Sequence, residues 1–174
     1  MSHDGAAQSA APLLFSYSRA LAPPLWAFAC IMAIELVVVH LLVSALSSRI
    51  AAAILSIVSL VILVWTILFI LSFKRLPVLV DESGVTMRLG SLRTVLAPRD
   101  RIAGVRTGWP GEALKRRTVL NLALINYPNV MLDLDPPLVG PRRAIAAIAH
   151  RLDDPAGFVA AVGRLTRSGE GGER

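Results

Sequence analysis

Two long apolar stretches, residues 25–46 and 50–73, are parted only by Ser47-Ser48-Arg49. Coiled as helices rising ~1.5 Å per residue, each reaches across a hydrocarbon core of ~30 Å. The pair reads as a transmembrane helical hairpin over residues 23–75, and the rest of the chain must fold around that constraint. Hydrophobic residues make up 55% of the 174, with mean hydropathy +0.62, above the roughly 45–50% of soluble domains. The excess sits between residues 25 and 73. It leaves 1–22 as a mobile N-terminal arm, 76–167 as one small domain and 168–174 as a disordered tail.

The arm does not read as a cleaved leader. Arg19 is the one basic residue before the first run, that run exceeds the usual ~7–15 residues, and no small-residue cleavage site follows it. Pro23-Pro24 instead suit the first turn of a helix, where a missing amide donor costs nothing. Orientation follows from the flanks. Lys74 and Arg75 abut the second span, with Arg88, Arg93, Arg99 and Arg101 soon after, whereas the inter-span turn holds only Arg49. Positive charge stays inside, so both termini are expected in the cytoplasm. Trp26 and Phe28 at the start of one span and Phe69 and Phe73 at the end of the other supply an aromatic belt at that same interface.

Folding the hairpin about Ser48 sets Cys30 opposite Thr66 and His40 opposite Ser56. Cys30, Ala33, Val37, His40 and Ser44 recur at helical spacing, as do Ser56, Ser59, Leu63 and Thr66, and such small and polar stripes pack helices in lipid. Glu35 lies off the stripe and faces lipid or another chain. A carboxylate at mid-span costs about 2.5–3.5 kcal/mol on insertion scales. With no second acid in either span, Glu35 reads as a lone carboxyl tolerated by an otherwise very apolar helix; the contrasting reading is a proton-linked or subunit-pairing group. His40 reads as an imidazole satisfied by a serine.

After Lys74-Arg75 the pattern changes to the period of two. Short strands are expected at 78–80, 85–89, 94–97, 102–109, 118–126 and 130–134, with turns at Asp81-Glu82-Ser83-Gly84 and Gly90-Ser91 and loops at 108–117 and 127–129. Residues 144–152 suit either strand or helix. Asp154 then offers an N-cap and Pro155 a first-turn residue for a closing helix carrying Phe158, Val159, Val162 and Leu165. Cys30 is the single cysteine, so neither a disulfide nor a thiolate zinc site forms within one chain. Asp133 and Asp135 share one strand face without a third ligand, and His150 reads as a local partner of Asp153 or Asp154. No phosphate-binding glycine loop, nucleophile elbow or paired metal motif occurs; no cofactor, metal or catalytic role is expected.

Two apolar helices, then Leu76-Pro77-Val78-Leu79-Val80-Asp81-Glu82-Ser83-Gly84-Val85, Arg88-Leu89-Gly90, Pro98-Arg99-Asp100-Arg101-Ile102 and Leu152-Asp153-Asp154-Pro155-Ala156-Gly157-Phe158-Val159 resemble bacterial pleckstrin-homology-like membrane proteins over residues 20–167. The resemblance implies an α+β chain: a bent antiparallel sandwich or barrel of about seven strands closed by a C-terminal helix, held at the inner, plasma membrane of a bacterium. It does not carry over phosphoinositide binding, because the first loop holds Asp81 and Glu82 and would repel a phosphorylated headgroup.

The net charge of +6 belongs wholly to the segment from Lys74 onward, with 16 basic and 10 acidic residues. Lys74, Arg75, Trp109, Lys115, Arg116 and Arg117 are the candidates for contact with anionic lipid headgroups, each cation contributing about 1 kcal/mol near such a surface. Trp109 either enters that interface or packs on a sheet edge. Arg142-Arg143 reads as a soluble turn, and the scarcity of aromatics in the outer domain excludes nucleic acid. The expected task is binding: a membrane-anchored module whose basic β-domain docks a membrane or cytoplasmic protein, or another copy of itself. The alternative is an ion- or small-molecule-handling component in which Glu35 and His40, with Ser56, Ser59 and Thr66, act within an oligomer.

Overall fold

The computed structural model describes residues 11–46, 48–140 and 143–170, side chains of 168–170 excepted. The expectations for residues 1–10, for Arg142 and for 171–174 lie outside the described residues. The molecule is α+β: two long apolar helices are followed by two four-stranded sheets and a C-terminal helix. Helix α1 spans Ser18–Leu46 and α2 spans Arg49–Arg75. Both are long and apolar enough to cross a membrane, and only 6% and 17% of their most apolar windows are buried within the protein. A helix serving as a soluble core would bury that face; these leave it open.

The turn between them is capped by Ser48, whose Oγ accepts the Ile50 amide at 3.2 Å. On α2 the face toward α1 runs Ala52, Ser56, Ser59, Leu63, Thr66, Ile70, Phe73, at the spacing of three and four that a helix stripe requires. On α1 the inward line is Leu21, Leu25, Ala29, Met32, Leu36, Val39 and Val43. The expected stripe through Cys30 and Val37 is therefore turned by about one residue, and both of these are exposed. The rotation is set at the start of α1, where Leu21 is fully buried against the head. Thr66 correspondingly donates to Ile62 O of its own helix at 2.9 Å and leaves Cys30 alone.

The first sheet has the order β1-β2-β3-β4, with β1 at Leu13–Phe15, β2 at Val78–Asp81, β3 at Gly84–Leu89 and β4 at Arg93–Pro98. Every neighbour in it is antiparallel. The second has the order β5-β7-β8-β6, from Ile102–Arg106, Val130–Val139, Ala144–His150 and Val119–Asn121. Its β6 and β8 run parallel, the one departure from antiparallel pairing among the described residues. Helix α3, Pro155–Glu170, closes the head with Phe158, Ala161 and Val162 in the core, and Asp154 Oδ1 accepts the Gly157 amide at 2.9 Å as its cap.

Two expectations are corrected here. Residues 13–22 are no loose arm: Leu13, Leu14 and Phe15 pair with Val80, Leu79 and Val78, and Tyr17 and Leu21 are wholly buried. The strand forms because β2 would otherwise be a sheet edge and Phe15 meets Phe158 edge-on at 5.4 Å. Helix α1 also begins before residue 25, so Pro23 and Pro24 lie inside it. Pro24 cannot bond the carbonyl of Ala20, and Asn126 Nδ2 donates to that oxygen at 2.8 Å instead. A single core unites the parts, running from Phe15, Tyr17, Leu21, Phe69 and Phe73 into Val78, Met87, Leu132, Ile148 and Phe158.

Candidate functional site: the hairpin joint and the basic loop

The end of the hairpin is built into the head by polar contacts as well as by the core. Tyr17 is the centre of this joint. Its hydroxyl donates to Leu76 O at 3.0 Å and accepts the Gly90 amide at 2.7 Å, joining the end of α2 to the β3–β4 turn. Burial raises the Tyr17 phenol above its ordinary value, opposed by the Gly90 amide and by the charge of Arg88. The ring packs 5.7 Å from Phe73 and 4.9 Å from His150. Gly90 sits at φ +49°, where a Cβ would stand 2.5 Å from Ser72 Oγ. Glycine there lets the turn press against α2.

On the other side of the joint, Asp153 takes up the start of α1. Its Oδ2 accepts the Arg19 amide at 3.3 Å, and its own amide donates to Ser16 O at 2.9 Å. Asp153 therefore does not pair with His150. The imidazole instead accepts the Arg151 amide on Nδ1 at 2.7 Å, which leaves Nε2–H to donate to Arg88 O at 2.8 Å. It bridges β8 to β3 and so ties the two sheets together.

The expected lipid-facing residues fall into two groups. Lys74 and Arg75 are exposed at the last turn of α2. Trp109, Lys115, Arg116 and Arg117 lie on the loop between β5 and β6, beside a short 3-10 turn at Gly111–Lys115. Trp109 packs on the outer face of the second sheet beside Val119, Met131 and Ala149, stacks on Tyr127 at 6.1 Å and donates Nε1–H to its hydroxyl at 3.0 Å. Of its two contrasting placements, this is the sheet-packed one. Lys115 is paired with Glu112 at 2.9 Å, while Arg116 and Arg117 are exposed. Beneath the loop lies a cavity of about 220 Å³ walled by Arg106, Arg116, Thr118, Met131 and Asp133. Arg106 holds Asp133 through two N–H donors, one at 2.6 Å, and the bonded carboxylate raises the arginine above its ordinary value.

Within the hairpin His40 and Ser56 share a hydrogen bond of 2.7 Å. Beside them is an apolar pocket of about 310 Å³ lined by Leu36, Val37, Leu41, Ile57 and Leu60. Glu35 is exposed away from α2 and makes no hydrogen bond or ion pair among the described residues. Ser59 and Thr66 lie on the helix contact, so the polar residues of the hairpin are spread along it and Glu35 stands apart. Asp81, in the first loop of the head, is used locally: its Oδ1 accepts the amides of Ser83 and Gly84 at 2.9 and 3.2 Å.

No family model, curated protein or solved structure matches this chain. Of the joint residues, Tyr17 and Asn126 carried no sequence signal and Asp153 was set beside His150 instead, because each acts on main-chain groups far from it along the chain.

Proposed function

We propose that this protein is a membrane-anchored interaction module, in which the helical hairpin crosses a bacterial plasma membrane and a pleckstrin-homology-like head is presented at the cytoplasmic surface. The observation that carries the reading is the joint. A head on a flexible tether samples all orientations, whereas one bonded through Tyr17 to Leu76 and Gly90, and through Asp153 to the first turn of α1, keeps one face toward the bilayer. The cationic flank of α2 supports the orientation: Lys74 and Arg75 lie on the head side and Arg49 alone on the other. The loop carrying Arg116 and Arg117 is then the surface offered to a protein partner or to a second copy. Binding is the task this reading assigns to it.

The test compares two variants of the full chain in intact membranes. Replacing Lys115, Arg116 and Arg117 together by Ala is expected to abolish cross-linking to the partner or to a second copy, while Glu35→Gln leaves it unchanged. Loss of assembly from Glu35→Gln alone, with the loop variant unaffected, would overturn the reading in favour of an intramembrane role for Glu35.

A further inference from the structure

Along the last turns of α2 runs a cleft of about 450 Å³, lined by Trp65, Leu68, Phe69, Leu71, Ser72, Arg75 and Leu76 and closed on one side by Ser91 of the β3–β4 turn. Its walls are held in place. Trp65 and Phe69 stack at 5.7 Å with nearly parallel rings, and Ser72 Oγ donates to Phe69 O at 2.6 Å while accepting the Ser91 amide at 3.2 Å. The close approach allowed by Gly90 sets the width.

The cleft has two chemical ends. From Trp65 to Arg75 the helix axis advances about 15 Å, half of a ~30 Å hydrocarbon core. One end is apolar and aromatic. The other offers the Arg75 guanidinium, which has no acidic partner among the described residues, and the Ser91 hydroxyl. A soluble anion would satisfy Arg75 and leave the apolar length wet. An acyl chain alone would leave the guanidinium fork, whose planar donors match a phosphate, unused. A phospholipid fills both. The Arg75 charge is uncompensated there, so a headgroup carrying its own cation is disfavoured against a net-negative one, and Lys74, which does not line the cleft, adds only diffuse attraction.

We propose that this cleft holds one anionic phospholipid of the leaflet on the head side, its phosphate on Arg75 and Ser91 and an acyl chain along Trp65, Leu68 and Leu71. The assignment rests on the reading that the hairpin spans the membrane.

The experiment uses the full chain with Trp26 and Trp109 replaced by Phe, in phosphatidylcholine vesicles containing a minor fraction of either brominated phosphatidylglycerol or brominated phosphatidylcholine. Quenching of Trp65 is expected to show about fivefold preference for the anionic lipid, the equivalent of the about 1 kcal/mol that one cation, Arg75, contributes near such a headgroup. Arg75→Ala removes the preference and Lys74→Ala keeps most of it. Equal quenching by the two lipids, or equal loss from both substitutions, overturns the cleft in favour of diffuse attraction. Native mass spectrometry of the unsubstituted chain gives an independent readout: retained phosphatidylglycerol that disappears in Arg75→Ala supports the site, and none retained overturns it. Recovery of the chain in the aqueous phase would instead overturn the spanning hairpin itself.

Discussion

His150 shows how a single side chain can make a fold sensitive to its medium. Burial holds the imidazole below its ordinary value of about 6.5, opposed by hydrogen bonding to the main chain at Arg88 and Arg151. The ring is neutral in the folded chain because Nδ1 accepts an amide proton. When pH drops below about 6.5, the unfolded chain binds a proton that the folded one refuses. Stability is therefore complete above that value and falls on acidification toward the depressed folded value, by up to about 1.4 kcal/mol per pH unit. In a His40→Gln background, where His150 is the remaining histidine among the described residues, the urea midpoint in micelles should drop between about pH 7 and about pH 5. A flat or rising profile would contradict the buried neutral ring. At this scale sequence and structure agree unevenly. The His40–Ser56 pair was legible because hairpin geometry places it, whereas the partners of His150 were hidden by the long separation of Arg88 from it.

Among the elements, β1 is the one with most effect for its length. Its Phe15 packs on Phe158 of α3, so a three-residue strand links the first sheet to the closing helix. Phe15→Ala and Phe158→Ala should each destabilise by about 3–5 kcal/mol. Their double-mutant cycle should return a coupling of about 0.5–1.5 kcal/mol beyond additivity, measured by denaturant unfolding. Strict additivity would mean that β1 is undocked. The strand was hard to read because Leu13-Leu14-Phe15 is too short for a period to be counted. Strand β7 misled in the opposite direction, since it continues through Pro136 and Pro137, residues that ordinarily end a ladder, by shifting register between Asp133 and Leu138. Strand β6 stops at Asn121, whose Oδ1 accepts the Ala123 amide at 2.9 Å and turns the chain early. The start of helix α3 was legible, since its Asp154-Pro155 cap is local chemistry, but its end was not: the helix runs to Glu170, through residues 168–170 that were expected in the disordered tail.

Taken whole, the molecule has no boundary where the sequence suggested one. A cut at residue 76 divides a single core, removing Phe15, Tyr17, Leu21, Phe69 and Phe73 from Val78, Met87 and Leu132. Residues 76–167 expressed alone should lose near-ultraviolet circular dichroism and bind a hydrophobic dye, while the full chain in micelles unfolds cooperatively. A rigid, cooperatively melting fragment would show that the two parts are separable. Composition located the greasy third of the chain but was silent on how it is joined, because the joint consists of bonds from Tyr17, Asn126 and Asp153 to main-chain groups distant in sequence.

Strands β1 and β2 are neighbours in the sheet yet lie on opposite sides of both apolar helices in the chain. During synthesis the earlier strand must wait, unpaired, until the whole helical pair has been made and the chain beyond it has emerged. Completing the helical pair thus becomes a precondition for completing the sheet. Once the sheet is complete, the β1–β2 seam ties the chain before the first helix to the chain after the second, so tilting of the helical pair against the head loads that seam in shear.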